Sequence, residues 1–64
     1  MRNGIFRDDE GFDILVNGIE RTFRDMEEFA YAAGRFLKRH NPHDRIEIRV
    51  RATGQVTEIL APGS

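Results

Sequence analysis

The stretch "RDMEEFAYAAGRFLKRHNP", residues Arg24 to Pro42, decides how this chain folds. Asp25 and Glu28 have the spacing of a capping box, in which the first side chain accepts from an early backbone N–H and the second reaches back to the cap. A helix therefore starts near Met26. From there Met26, Phe29, Ala30, Ala33, Phe36, Leu37 and His40 recur at helical intervals, making one apolar stripe of about four turns. Such a stripe needs a sheet to cover. Asn41 can adopt the left-handed cap conformation and Pro42 forbids continuation, so the helix ends at about His40.

Upstream lies "FDILVNGIERTF", where Asn17-Gly18 supplies the two positive-φ residues of a tight hairpin turn between alternating segments. Pairing outward from that turn sets Val16 opposite Ile19, Ile14 opposite Arg21 and Phe12 opposite Phe23. One face is then apolar except at Arg21, which belongs at a sheet edge with its stem on the core and its head in water. Ile5 and Phe6, followed by "DDEG", suggest a further short strand.

Downstream, "RIEIRVRATGQVTEIL" alternates Ile46, Ile48 and Val50 with charged residues, the pattern of a half-buried strand. "ATGQ" turns the chain and Val56 to Leu60 returns. A two-residue loop at Thr53-Gly54 sets Ile48 against Ile59 and Arg49 against Glu58. A three-residue loop with Gly54 left-handed shifts the pairing by one and turns Val56 and Leu60 inward. The first is preferred, because the second pushes Glu58 into the core.

The expected fold is a single α+β domain over residues 1–64, ordered from about residue 4 to 60 with a tail at 61–64. One helix packs on a mostly antiparallel four- or five-stranded sheet in the order β-β-β-α-β-β. Its expected core is Phe12, Ile14, Val16, Ile19, Phe23, Met26, Phe29, Ala33, Phe36, Leu37, Ile46, Ile48, Val50 and Ile59. The run "RTFRDMEEFAYAAGRFLKRHNP", followed by a charged strand and a "TGQV" turn, resembles several groups of small bacterial domains of unknown function. In those, a strand ending in Phe and a Thr or Asp cap precede a Glu-Glu-Ala-like helix start, and a second hairpin closes the sheet. Across residues 12 to 60 the resemblance implies this fold and no activity.

With 64 residues, a chain buries only about 60% of the surface it exposes when unfolded, which leaves little room for a deep catalytic cavity. The absence of cysteine removes thiolate metal sites and thiol catalysis, and a reducing, cytoplasmic location fits. No apolar run approaches the roughly 20 residues that span a bilayer, and "MRNGIFRDDEG" lacks the apolar core of a signal peptide. Ten basic against eleven acidic residues give a formal charge of −1, so no whole-molecule field draws the chain to nucleic acid or anionic lipid.

Several residues invite a functional reading. Arg45, Arg49 and Arg51 form a row that could contact phosphates. Their outward strand face has no aromatic ring on which to stack bases, and Glu47 lies within the row, so cross-strand ion pairing accounts for it as well. "HNPHD" contains His40, His43 and Asp44, but Pro42 breaks the geometry a shared metal would need; His40 is instead expected as a half-buried residue bonding a terminal carbonyl. Glu27 and Glu28 suit a first helical turn, and Asp8, Asp9 and Glu10 a loop. No motif of known enzymatic mechanism appears. Gly34 is the odd residue, since glycine inside a helix costs about 1 kcal/mol relative to alanine. On the wheel it borders the solvent side with Ala30, Tyr31 and Lys38, a flank suited to a protein partner or a second copy of the chain.

These observations predict a non-catalytic interaction module whose partner is another protein or a second copy of the chain, met through the flank around Ala30, Tyr31 and Gly34 or through an unpaired sheet edge, with weak nucleic-acid binding through the arginine-bearing strand as the alternative. No metal, cofactor, membrane or small-molecule substrate is implied.

Overall fold

Asn17 and Gly18 take φ of 54° and 85°, the positive pair that lets a two-residue turn follow the natural twist of its strands. They join β1 (Phe12–Val16) to β2 (Ile19–Arg24), which α1 (Glu27–His40), β3 (Ile46–Val50) and β4 (Val56–Ile59) follow. The computed structural model describes residues 10–61. The strand expected around Ile5 and Phe6, and the tail beyond Ala61, lie outside them. Within the described residues the strands form one antiparallel sheet in the order β2-β1-β3-β4, with the helix across one face. The α+β class and the order of elements are those expected.

Both hairpins differ from the expected register. Val16 does face Ile19, but a bulge between Ile14 and Leu15 leaves Arg21 without a partner, so Ile14 faces Thr22 and Phe12 faces Arg24. One extra residue sends every later side chain of β2 to the opposite face. Phe23 accordingly lies opposite Asp13, on the side of the sheet away from the helix. In the second hairpin Ile46 faces Ile59 and Ile48 faces Thr57, two residues away from the expected Ile48–Ile59 pairing. An even shift preserves the faces, and Ile59 still points inward while Val56 and Leu60 remain exposed. The wider loop is closed by Gly54 N–H donating to the Val50 carbonyl at 2.7 Å and Val50 N–H donating to Gln55 at 2.8 Å. Gly54 takes φ of 80° there.

The helix spans 14 residues and ends where Pro42 predicts, yet its ends are built differently from expectation. Met26, not Asp25, is the N-cap, and no side chain caps it. Asn41 closes the other end at φ −135° rather than left-handed, with its backbone N–H and side-chain amide both donating to the Leu37 carbonyl.

The larger correction is the roll of the helix. The line buried against the sheet runs through Ala30 and Gly34, roughly 80° around the axis from the centre of the apolar stripe at 3.6 residues per turn. Ala30 joins Ile14, Ile46, Ile48 and Ile59 in the core, with Phe12, Val16, Tyr31, Ala33 and Leu37 packed around them. Met26, Phe29 and Phe36, expected inside, are 48%, 51% and 55% exposed. Ile19 is exposed as well, and Val50 only half-buried. The reason is steric. A Cβ on Gly34 would sit 3.1 Å from Ile48 Cδ1 and 3.2 Å from Ile59 Cγ1, so the sheet's branched isoleucines project into the space a larger helix residue would fill. The sheet supplies the bulk and the helix the hollow.

Gly34→Leu should therefore destabilise the fold by about 1–3 kcal/mol or more through overpacking. Arg35→Leu, on the solvent side, should stay within about 0.5 kcal/mol. Urea denaturation of the two variants checks this; equal midpoints would place Gly34 off the sheet.

Candidate functional site

Alternation in β1 turns Ile14 to the helix and Asp13 and Leu15 to the other face of the sheet. There Asp13 is 1% exposed, an unusual position for a carboxylate on a thin domain. Arg49, directly opposite on β3, donates to Oδ2 from its terminal nitrogen at 2.8 Å and from Nε at 3.2 Å. Arg51, just past the strand end, donates from Nε to Oδ1 at 2.9 Å and ion-pairs with the same oxygen at 2.8 Å. Glu20 of β2 stands 3.9 Å from Arg49 and 3.6 Å from Arg51. The Arg51 guanidinium lies 4.6 Å over the centre of the Phe23 ring, a cation–π contact that the β2 bulge makes available. Two arginines and two carboxylates thus form one nearly neutral cluster.

Burial pushes the Asp13 carboxyl up, but the hydrogen bonds and charges of Arg51 and Arg49 outweigh it and hold the group below its ordinary value of 3.8. The carboxylate is sealed by side chains that themselves touch water, since Arg49 and Arg51 are 41% and 26% exposed. Its protonation costs more in the folded chain than in the unfolded one. The stability it contributes is complete above the unfolded value and drains away as pH falls through the lower folded value.

This cluster settles where the arginine row points. Arg49 and Arg51 aim inward at Asp13, and Arg45 pairs with Glu47 at 3.3 Å. Each of the three candidate phosphate contacts holds a carboxylate. The candidate protein-contact flank is also rearranged. Ala30 and Gly34 are under the helix, Tyr31 packs at the margin of the core, and Lys38 Nζ donates to the Asp44 carbonyl at 2.8 Å. That group is a seam between helix and sheet, not an open surface, because glycine was needed for close approach by the chain's own strands. His40 is exposed rather than bonded to a terminal carbonyl, and its ring tilts against Phe36 at 4.3 Å.

The open apolar surface lies on the other flank of α1. Phe29, Ala32, Ala33 and Phe36 form one wall of a groove of about 750 Å³, and Arg21, Thr22 and Arg24 on the edge strand β2 form the other. Arg24 donates to the Thr22 hydroxyl at 2.7 Å and to the Phe23 carbonyl at 2.8 Å. Phe29, Ala33 and Phe36 are legible in the sequence as members of the apolar stripe. What the sequence hides is the roll that leaves them outside.

Among the described residues no helix is long and apolar enough to cross a membrane. No protein-family model, curated protein or solved structure matches the chain.

Removing the Asp13 charge leaves two guanidinium groups with only the half-exposed Glu20 carboxylate, 3.9 and 3.6 Å away, to balance them. Asp13→Asn should cost about 2–4 kcal/mol near neutral pH, somewhat less than for a fully buried pair. Its deficit relative to the unaltered chain should shrink below about pH 4, where the unfolded carboxylate takes up a proton that the folded one, held at a lower value, still refuses. Denaturant midpoints of both proteins at about pH 6 and about pH 2.5 give the comparison; a deficit independent of pH would show that the charge of Asp13 is not what matters.

Proposed function

We propose that the chain is a small, non-catalytic, cytoplasmic interaction module that associates with a second copy of itself through the Phe29–Phe36 flank of α1. One observation carries it: two phenyl rings, each about half exposed, stand on one side of the helix above a groove walled by alanines. Adjacent exposed aromatics on one flank are a feature of contact surfaces, not of a solvated helix. Alanine at positions 32 and 33 keeps the floor low enough for another side chain to enter.

The energetic scale supports weak association. Burying the exposed halves of four rings, two from each copy, returns on the order of 5 kcal/mol. Association itself costs translational and rotational freedom. The dissociation constant should therefore be no tighter than roughly 10⁻⁴ M. Nucleic-acid binding through Arg45, Arg49 and Arg51 is the less favoured alternative, because their guanidinium groups already face Glu47 and Asp13.

Sedimentation equilibrium over a concentration series from about 10⁻⁴ M into the millimolar range should show the mean mass rising from monomer toward dimer. Phe29→Glu and Phe36→Glu should each hold the chain monomeric while leaving its circular dichroism unchanged. A monomer at every concentration would remove self-association, and binding to RNA or DNA that weakens with salt would favour the alternative.

A further inference from the structure

The exposed flank has a pattern of its own. Met26, Phe29, Ala33, Phe36 and His40 follow the alternating three- and four-residue spacing of a coiled-coil seam, with the small, half-buried Ala33 set between larger exposed side chains. The seam lies beside the sheet-facing line through Ala30 and Gly34, so α1 presents two packing faces and its own sheet covers one. The helix is also polar end to end: Glu27 and Glu28 occupy its first turn, and Lys38, Arg39 and His40 its last. Side by side and parallel, two such helices would set like charges together; antiparallel, they set acid against base.

The sheet edges offer a poorer route to pairing. β2 carries the bulge at Arg21 together with Glu20 and Arg24, devices that discourage strand addition. β4 is only four residues long.

Building on self-association through this flank, we infer that two copies pair by antiparallel contact of their α1 helices. Phe29 of one copy packs on Ala33 of the other, and Phe36 on Met26, so each layer sets a large side chain against a smaller or more pliant one. Ala32 of both copies meets at the two-fold axis. The acidic start of each helix, from Asp25, lies beside Arg39 of the second copy, an isologous arrangement in which every contact occurs twice.

The absence of cysteine from the sequence makes this directly testable by cross-linking single-cysteine variants of the full chain. Under mild oxidation at concentrations where the unaltered chain associates, Ala32→Cys should form a covalent dimer by itself. Asp25→Cys and Arg39→Cys should each fail to link alone and should link when mixed. Linkage of Arg39→Cys to itself would mean parallel helices and would overturn the inference. A chain that dimerises by mass yet links at none of these positions would overturn the arrangement while leaving self-association standing. A chain that never dimerises would overturn both. Circular dichroism of each variant establishes that an unlinked protein is still folded.

Discussion

The contact between Gly34 and the side chains of Ile48 and Ile59 fixes the rest of the structure. A helix resting on a sheet can roll about its axis, and what stops the roll is the fit between bumps on one surface and hollows on the other. Here the bumps are isoleucines of β3 and β4, and the hollow is the missing side chain at position 34, continued one turn earlier by Ala30. The helix settles low on the sheet along its smallest residues. Its two phenylalanines are then carried to the flank. The loss of helix propensity at glycine, about 1 kcal/mol, is offset by closer packing of four buried or nearly buried isoleucines. The exposed rings follow from the way the core is packed.

The other face of the sheet obeys a different constraint. With only one helix in the described residues, a single-layer sheet has one side without a helical cover, and that side must be made compatible with water without losing strand pairing. Asp13, Arg49, Arg51 and Glu20 do this with charges that answer one another across three adjacent elements. The β2 bulge belongs to the same solution, since it delivers Phe23 to the face where Arg51 can lie over it. A row of arginines that looks like a phosphate-binding stripe in one strand becomes a neutralised patch once the neighbouring strand is placed beside it. The exposed apolar side chains of the helix lie on its Phe29–Phe36 flank.

Much of the fold is legible in the sequence because its signals are local. Asn17-Gly18 dictates a turn through backbone sterics alone, Pro42 stops a helix wherever it occurs, and the period-two alternation around Ile46 marks a half-buried strand. Features that depend on a second element are not legible in this way. The bulge at Arg21 and the two-residue slip of the last hairpin depend on which partner strand and loop win. The roll of the helix depends on the volume of residues on β3 and β4. Apolar periodicity predicts which side of a helix is greasy, and it identified Phe29 and Phe36 correctly as members of that side. It cannot separate a residue facing its own sheet from one facing another molecule. The signal that could have done so was Gly34 itself: spaced four residues from Ala30, it marks close approach, and the nearest large surface is the protein's own sheet. Asp13 likewise left a trace, as a lone acid within an apolar strand of a chain whose other strand carries arginines two apart.

The central claim is that Gly34, and not Phe29 or Phe36, faces the sheet. Nuclear Overhauser contacts in the folded monomer test it without altering any residue. The Gly34 α-protons should show strong contacts to the methyl groups of Ile48 and Ile59, and the Phe36 ring should show contacts to His40 but none to Ile48. Strong contacts from the Phe29 and Phe36 rings to the methyls of Ile14, Ile46 and Ile48, with none from Gly34, would return those rings to the core and contradict the account.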